Sequence, residues 1–255
     1  DDYNTRLTTW VQSLKNPKFV TGGPHGSKFE LIDQKFVFGP DELQGLRIFI
    51  GKGQCLNCHG GPLFTDSSFR NTGTTQVAYD KMFGVGQFQK LTIPSWQERQ
   101  KQPAVLPPTP ININGLGKYA SPLDPHKPGY TDLGLWNVLG NSFYPKSQAP
   151  AIQILMNLTG LPRPETPDQW DHFLDASIAR FKTPTLRVLG QSAPYFHNGS
   201  AVSLKNVIDH YRVAGALARA NRLRNADPLM AAVQLDANDS PALIRFLESL
   251  NEDYQ

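Results

Sequence analysis

The chain holds only two cysteines, Cys55 and Cys58, and they stand three positions apart in Cys55-Leu-Asn-Cys58-His59. Two thiols at this spacing with histidine directly behind them form the attachment pattern of a c-type haem. Each thiol adds to one vinyl group of the porphyrin, and the adjacent imidazole is then placed under the iron as its proximal ligand. The peptide becomes a covalent clamp, and the rest of the chain must be organised around it. A CxxC redox pair and half of a zinc site are the competing readings. A four-ligand zinc site needs two more ligands, and nothing else in the sequence has the paired Cys/His spacing of structural zinc sites. With both thiols on haem, no disulfide is available.

The remaining composition fits that reading. At 255 residues the chain is long enough to bury a substantial core, as one large domain or two small ones. A formal net charge of +3, scattered along the chain, does not argue for nucleic acid. No apolar run approaches the roughly 20 residues needed to span a bilayer, so the sequence reads as soluble. Its 21 prolines, about 8% against a usual ~5%, predict a large share of irregular loop. No signal peptide is present. Because c-type haem is attached outside the cytoplasm, a periplasmic or otherwise exported bacterial location is expected, with Asp1 following a removed leader or opening a fragment.

In chain order, Leu7, Trp10, Val11 and Leu14 recur at helical spacing up to Asn16-Pro17. Residues 21–38 read as loop with a short strand, and His25 there as a surface residue. Pro40-Asp41-Glu42 opens a second helix with Leu43, Leu46 and Phe49/Ile50 on one face and Gly51/Gly53 as its stop. This helix delivers the chain into the motif. The run Gly60-Gly61-Pro62-Leu63-Phe64-Thr65-Asp66 cannot be helical, and loops of this kind wrap a haem edge. From 76 to about 129 the sequence is polar and weakly periodic, and Pro103, Pro107, Pro108 and Pro110 block any long helix. His126 reads as a turn residue. Trp96 and Trp136 are candidates to carry electrons, with packing as the plainer reading.

Helices are expected over about 151–158 and 168–178, with Met156 facing the core. Lys182 and Arg187 flank a rigid proline turn and are candidates to pair with haem propionates, since a planar guanidinium suits a carboxylate fork. The alternative is two solvated charges. Ser203 is placed to cap a helix whose Leu204, Val207, Ile208 and Tyr211 fall at i, i+3, i+4 and i+7. At about 100° per residue Tyr211 lies within roughly 20° of the centre of that stripe, and His210 about 110° from it. Tyr211 therefore points inward and needs a partner. Asp239/Ser240 and Pro241 start a last helix with Leu243, Ile244, Leu247 and Leu250 on one face.

Three stretches, GLRIFIGKGQCLNCHGGPLFTDSSFRNTG, FKTPTLRVLGQSAPYFHNGSAVSLKNVIDHY and the terminal helix, resemble the second half of bacterial di-haem cytochrome c peroxidases and of the related MauG proteins. The match covers roughly residues 1–73, 130–140 and 181–250, leaving about 76–129 and 141–180 as apparent insertions. The resemblance implies a mostly α fold, a single cytochrome c-type haem domain over 1–255 with long loop insertions. It also implies a larger molecule, in which this domain holds the electron-transferring haem and another domain reacts with peroxide.

Only one CxxCH is present here. The partner haem domain is therefore expected on a separate or cleaved chain, with a redox protein as donor or acceptor and low peroxidase activity for the chain alone. A single-haem electron carrier is the alternative reading, and a rubber-oxygenase-like enzyme a more distant one. The resemblance further implies calcium near backbone carbonyls of Ser192 and Pro194. It also implies an iron ligand opposite His59 fourteen residues beyond His197 of the PYFH turn, a methionine in the peroxidases and a tyrosine in MauG. Here that residue is Tyr211. His197 is counted with the cofactor-binding residues. Against Tyr211 stand a buried tyrosine hydrogen-bonded near the haem, with His210, Met82, Met156 or Met230 as ligand, and an open sixth position.

Overall fold

A computed structural model describes residues 39–144 and 146–251, so the expected helix at 7–14, the stretch 21–38 and His25 lie outside the described residues. The described chain is mostly helical. Helix α1 (Pro40–Ile50) has Pro40 in its first turn, and the Glu42 carboxylate takes the Gly39 N–H at 2.8 Å. After α1 come the haem motif, strand β1 (Phe69–Arg70), α2 (Thr74–Phe83) and α3 (Trp96–Lys101). Then follow α4 (Ala149–Thr159), α5 (Pro167–Ser177), strand β2 (Phe181–Lys182), α6 (Leu204–Arg219) and α7 (Ser240–Glu248). The strands pair antiparallel, Phe69 opposite Lys182 and Arg70 opposite Phe181.

The apolar stripes of α1, α6 and α7 meet in one core that includes Leu46, Phe49, Ile208, Leu243 and Phe246. Burying such stripes on one another supplies most of the stability of helices this short. Helices α1 and α7 cross closely because Gly45 has no side chain. A Cβ there would fall on the Ala242 carbonyl oxygen and stand 2.7 Å from Phe246 Cβ. Overpacking of this kind costs about 1–3 kcal/mol, more than the roughly 1 kcal/mol that alanine gains over glycine within a helix. Gly45→Ala is therefore expected to lower Tm, by about 2–4 °C for each net kcal/mol in a chain of this size. Thermal unfolding checks it, and an unchanged Tm would mean that the two helices separate freely.

A second core gathers Tyr79, Phe88, Tyr119, Leu133, Trp136, Leu155 and Phe173. The two apparent insertions thus contribute, with residues 130–140, to one shared apolar cluster. They are not wholly loop, since each carries two helices, α2 and α3 in the first and α4 and α5 in the second. Trp136 and Trp96 both pack within this cluster, and Met156 lies against it. His126 is an exposed turn residue whose N–H donates to Asp124 Oδ1. Polar side chains close the seam between the cores. Asn71 Nδ2 donates to the carbonyls of Arg224 and Asn225 at 3.0 and 2.9 Å, and Asn225 Nδ2 donates to those of Ala176 and Ile178, each at 2.9 Å.

Candidate haem site

Helix α1 ends at Gly51, whose N–H donates to the Arg47 carbonyl at 2.8 Å, and Gln54 takes a left-handed φ of 56° to turn the chain into the motif. Residues Cys55–Asn57 form one 3-10 turn, and the His59 N–H closes it on the Cys55 carbonyl at 2.8 Å. Both thiols are free and half-buried. Burial pushes the Cys55 thiol up to about 12 and the Cys58 thiol up to about 11. A redox-active CxxC pair works through a depressed thiol pKa, so these surroundings speak against that reading. Among the described residues, no group of three or more His, Cys, Asp or Glu side chains gathers in a metal-binding arrangement.

His59 is oriented by the loop that follows it. Its Nδ1 lies 3.0 Å from the Phe64 carbonyl oxygen. A carbonyl only accepts, so Nδ1 carries the proton and donates; the Pro184 carbonyl also bears on the ring, and Nε2 is the nitrogen that would turn to a metal. This is the outer hydrogen bond that fixes the tautomer of a ligating histidine. Phe64 presents that carbonyl from a left-handed backbone with φ 51°, a conformation that costs a non-glycine residue about 1–2 kcal/mol.

The loop is held by three bonds to the segment after β2. Thr65 Oγ1 donates to the Thr183 carbonyl at 2.7 Å, Thr185 Oγ1 to the Leu63 carbonyl at 2.6 Å, and Arg187 Nε to the Pro62 carbonyl at 2.8 Å. Arg187 also lies over the Phe64 ring. Its observed role is thus to clamp the loop that orients His59. Lys182 is exposed on β2.

Tyr211 comes in from α6, whose N-terminus Ser203 caps by accepting the Asn206 N–H. The phenol is packed against the first core. Burial pushes its pKa up, the negative forms of Cys55 and Cys58 push it further, and a side-chain hydrogen bond with Thr72 pulls it down. The fold therefore brings Tyr211 to the same site as both thiols. His210, expected well off the apolar stripe, is also half-buried, with the Thr72 carbonyl and the Phe196 ring against it. Its Nε2 sits 2.9 Å from the Thr72 carbonyl, and its ring meets Phe196 edge-on. Burial lowers its pKa to about 4.

His197 is exposed and stacks on Phe181 with 3.4 Å between ring centroids. Ser192 and Pro194 are exposed in the turn before it, and Ser192 Oγ donates to the Val188 carbonyl at 3.0 Å. Among the other sulfur atoms, Met82 is exposed, Met230 is buried in the first core, and Met156 lies against the second.

The donor set fits haem. Two thiols, an imidazole and a phenol meet at the edge of the first core, and Cys55, Phe64 and Tyr211 are packed on that core yet only partly buried. An apolar surface at a core edge with a few convergent polar groups is what a porphyrin plane requires. Sequence reasoning did not single out Thr72, Phe64 or Thr185. A phenylalanine forced to positive φ beside a motif histidine is visible only in the fold.

Chain and site together define a largely helical protein with a c-type haem attachment motif. No family model matches the chain. Curated relatives do: cytochrome-c peroxidase IdrP2 of Denitromonas iodatirespirans is 26% identical over 82% of this chain and 39% of its own length. Cytochrome-c peroxidase IdrP1 of Pseudomonas sp. (strain SCT) is 25% identical over 85% of this chain and 41% of its own. The chain is thus a relative of curated cytochrome-c peroxidases, consistent with the resemblance carried by the motif stretches. It spans about two fifths of the length of the curated relatives it matches. A solved MauG-like protein associated with microbial copper homeostasis aligns at 19% identity over 84% of this chain and 48% of that one, with a TM-score of 0.41.

Proposed function

We propose that the chain is a haem-binding, electron-transferring domain that supports peroxide-dependent oxidation together with a second haem domain. The observation that carries this reading is the His59 imidazole, whose Nδ1 is committed to the Phe64 carbonyl beside two free thiols, with Tyr211 reaching the same site. Cys55 and Cys58 would hold one haem c covalently, His59 and Tyr211 would ligate its iron, and Lys182, Arg187 and His197 would lie at its edge. When bound, the haem supplies one-electron redox chemistry at the iron. The chain's own part is to fix His59 in one tautomer through the Phe64 carbonyl and to keep Tyr211 in an apolar setting on the first core. Carbonyls of Ser192 and Pro194 would contribute to a calcium site completed by another domain.

No helix among the described residues is long and apolar enough to cross a membrane, and covalent haem attachment supports export to a bacterial periplasm. The peroxide-reacting site is assigned to the partner domain, since that reaction needs an open iron position with an acid/base side chain beside it. The chain alone is therefore expected to reduce peroxide well below about 1 per second, the low end of usual enzyme turnover. Stopped-flow assay of the haem-loaded chain, with and without a co-purifying haem chain, tests this. Turnover of about 1–1000 per second by the chain alone would overturn the division of labour.

A further inference from the structure

Between Gln102 and Gly117 the sequence carries no charge, yet the loop it forms shows aliphatic side chains to solvent. Ile111, Ile113 and Leu116 keep 66%, 78% and 68% of their exposure within the short stretch 111–116. Single exposed aliphatics need no explanation, but three grouped on one loop mark a contact surface. Their display does not come from a loose chain. Buried Asn112 donates through Nδ2 to the Pro103 carbonyl at 2.9 Å and to the Pro107 carbonyl at 3.3 Å, and Thr109 and Asn112 exchange both backbone bonds, at 3.2 and 3.0 Å. At the base of the loop the Leu116 N–H donates to the Ala104 carbonyl at 2.7 Å and the Gly117 N–H to that of Leu106 at 3.0 Å. Gly115 packs so closely that a Cβ there would stand 2.7 Å from the Leu106 carbonyl oxygen. The fold fixes the shape of a loop whose outer side chains are apolar.

Backbone, side chains and charge all favour a lipid surface as the occupant. A backbone entering the edge of a bilayer must satisfy its polar groups internally. Pro107, Pro108 and Pro110 have no N–H to satisfy, and those of Thr109, Ile111, Asn112 and Gly115 are bonded within the loop, Ile111 to Thr109 Oγ1 at 3.3 Å. With the two bonds at the base, only the N–H groups of Ile113 and Asn114 among residues 107–117 are left for headgroup or water oxygens. A protein-binding patch gains most from aromatic and arginine anchors, and the stretch 102–117 has neither. Isoleucine and leucine are instead among the side chains most favoured in an acyl layer. The charges flank the loop to match. Exposed Lys101 ends α3 just before the base, half-buried Lys118 follows it directly, and no acidic residue stands between them. Lysines at the foot of an apolar loop meet anionic headgroups while its tip lies among acyl chains.

We infer that residues 102–117 form a membrane-surface anchor, in which Ile111, Ile113 and Leu116 enter the outer part of an anionic phospholipid layer and Lys101 and Lys118 bind its headgroups. The chain lies on the bilayer and does not span it. The inference stands apart from the haem reading, since none of these residues belongs to the haem site.

Co-sedimentation of the purified chain with vesicles of equal parts phosphatidylcholine and phosphatidylglycerol tests it. The wild-type chain is expected to sediment with these vesicles and to bind pure phosphatidylcholine more weakly. Ile111→Ser combined with Ile113→Ser is expected to lower partitioning about tenfold or more, because two aliphatic side chains no longer enter the acyl layer. Ile111→Leu combined with Ile113→Leu is expected to bind as the wild type does. Lys101→Gln is expected to lower partitioning onto the anionic vesicles about fivefold and to leave that onto pure phosphatidylcholine unchanged. A wild-type chain that stays in the supernatant overturns the inference, and so does a serine pair that binds like the wild type. Should the serine pair fail to fold, Lys101→Gln decides, and wild-type partitioning of that variant onto anionic vesicles overturns it. A wild type that ignores vesicles while the serine pair loses a co-purifying protein chain would show that the loop faces a protein, which also overturns the inference.

Discussion

Replacing both Cys55 and Cys58 by alanine is expected to abolish covalent haem, so that the denatured protein shows the apo mass and acidic butanone extracts all pigment. Either single replacement should leave one attachment, intact by mass but weaker. The expectation follows from the turn Cys55–Asn57, closed by the His59 N–H on the Cys55 carbonyl, which leaves the two thiols near enough to act on one another electrostatically. Both thiols are held neutral by burial and lie against the first core or partly exposed beside it, surroundings suited to the two vinyl groups of one porphyrin. His59→Gly is expected to keep both thioether bonds while losing the proximal ligand, a spectral change without a mass change. A wild-type protein that releases its haem to acidic butanone would sink the assignment.

Tyr211→Phe is expected to remove any tyrosinate-ligand band from the ferric spectrum, to open the iron to cyanide, and to raise the reduction potential. A neutral thioether opposite the histidine favours ferrous iron, whereas an anionic phenolate stabilises ferric and higher states. Without iron, burial and the neighbouring cysteines hold the phenol protonated. Ligation would therefore cost the proton, and only a strongly positive centre such as ferric iron compensates that loss in so apolar a setting. Reduction of the iron is accordingly expected to weaken the bond. An unchanged ferric spectrum and potential in Tyr211→Phe would rule out ligation and leave Tyr211 as a packing residue hydrogen-bonded to Thr72.

The parts legible in the sequence are those whose causes are local. Helix α1 follows from Pro40, Asp41 and Glu42 at its start and Gly51 at its end, α6 from the Ser203 cap, and α7 from Pro241 with its apolar stripe. Tyr211 was legible for the same reason, since a 3.6-residue period alone turns it inward. His210 was not. Its position on the helix points it away from the stripe, and it is covered by the Thr72 carbonyl, 138 residues away in sequence.

The second core was hidden because Phe88, Tyr119 and Trp136 sit in proline-broken segments with no period to read. Asp227 looks like an ordinary loop carboxylate until Arg70 and Arg180, 157 and 47 residues distant, close on it. Arg187 is a propionate candidate by its charge and fork of donors, and the bond of its Nε to the Pro62 carbonyl, 125 residues away, is legible only in the fold.

The three bonds that hold residues 62–65 join partners 118, 122 and 125 positions apart. During synthesis, His59 emerges long before Thr183, Thr185 and Arg187 exist to hold the Phe64 carbonyl under it. Any thioether bond made on the nascent segment therefore precedes the geometry that fixes the imidazole tautomer. Attachment and ligation become separable in time, the first available to an unfolded peptide and the second reserved for a chain completed at least through Arg187. A truncation ending before residue 183 would then carry its haem like a tethered dye, with the iron's coordination left to solvent.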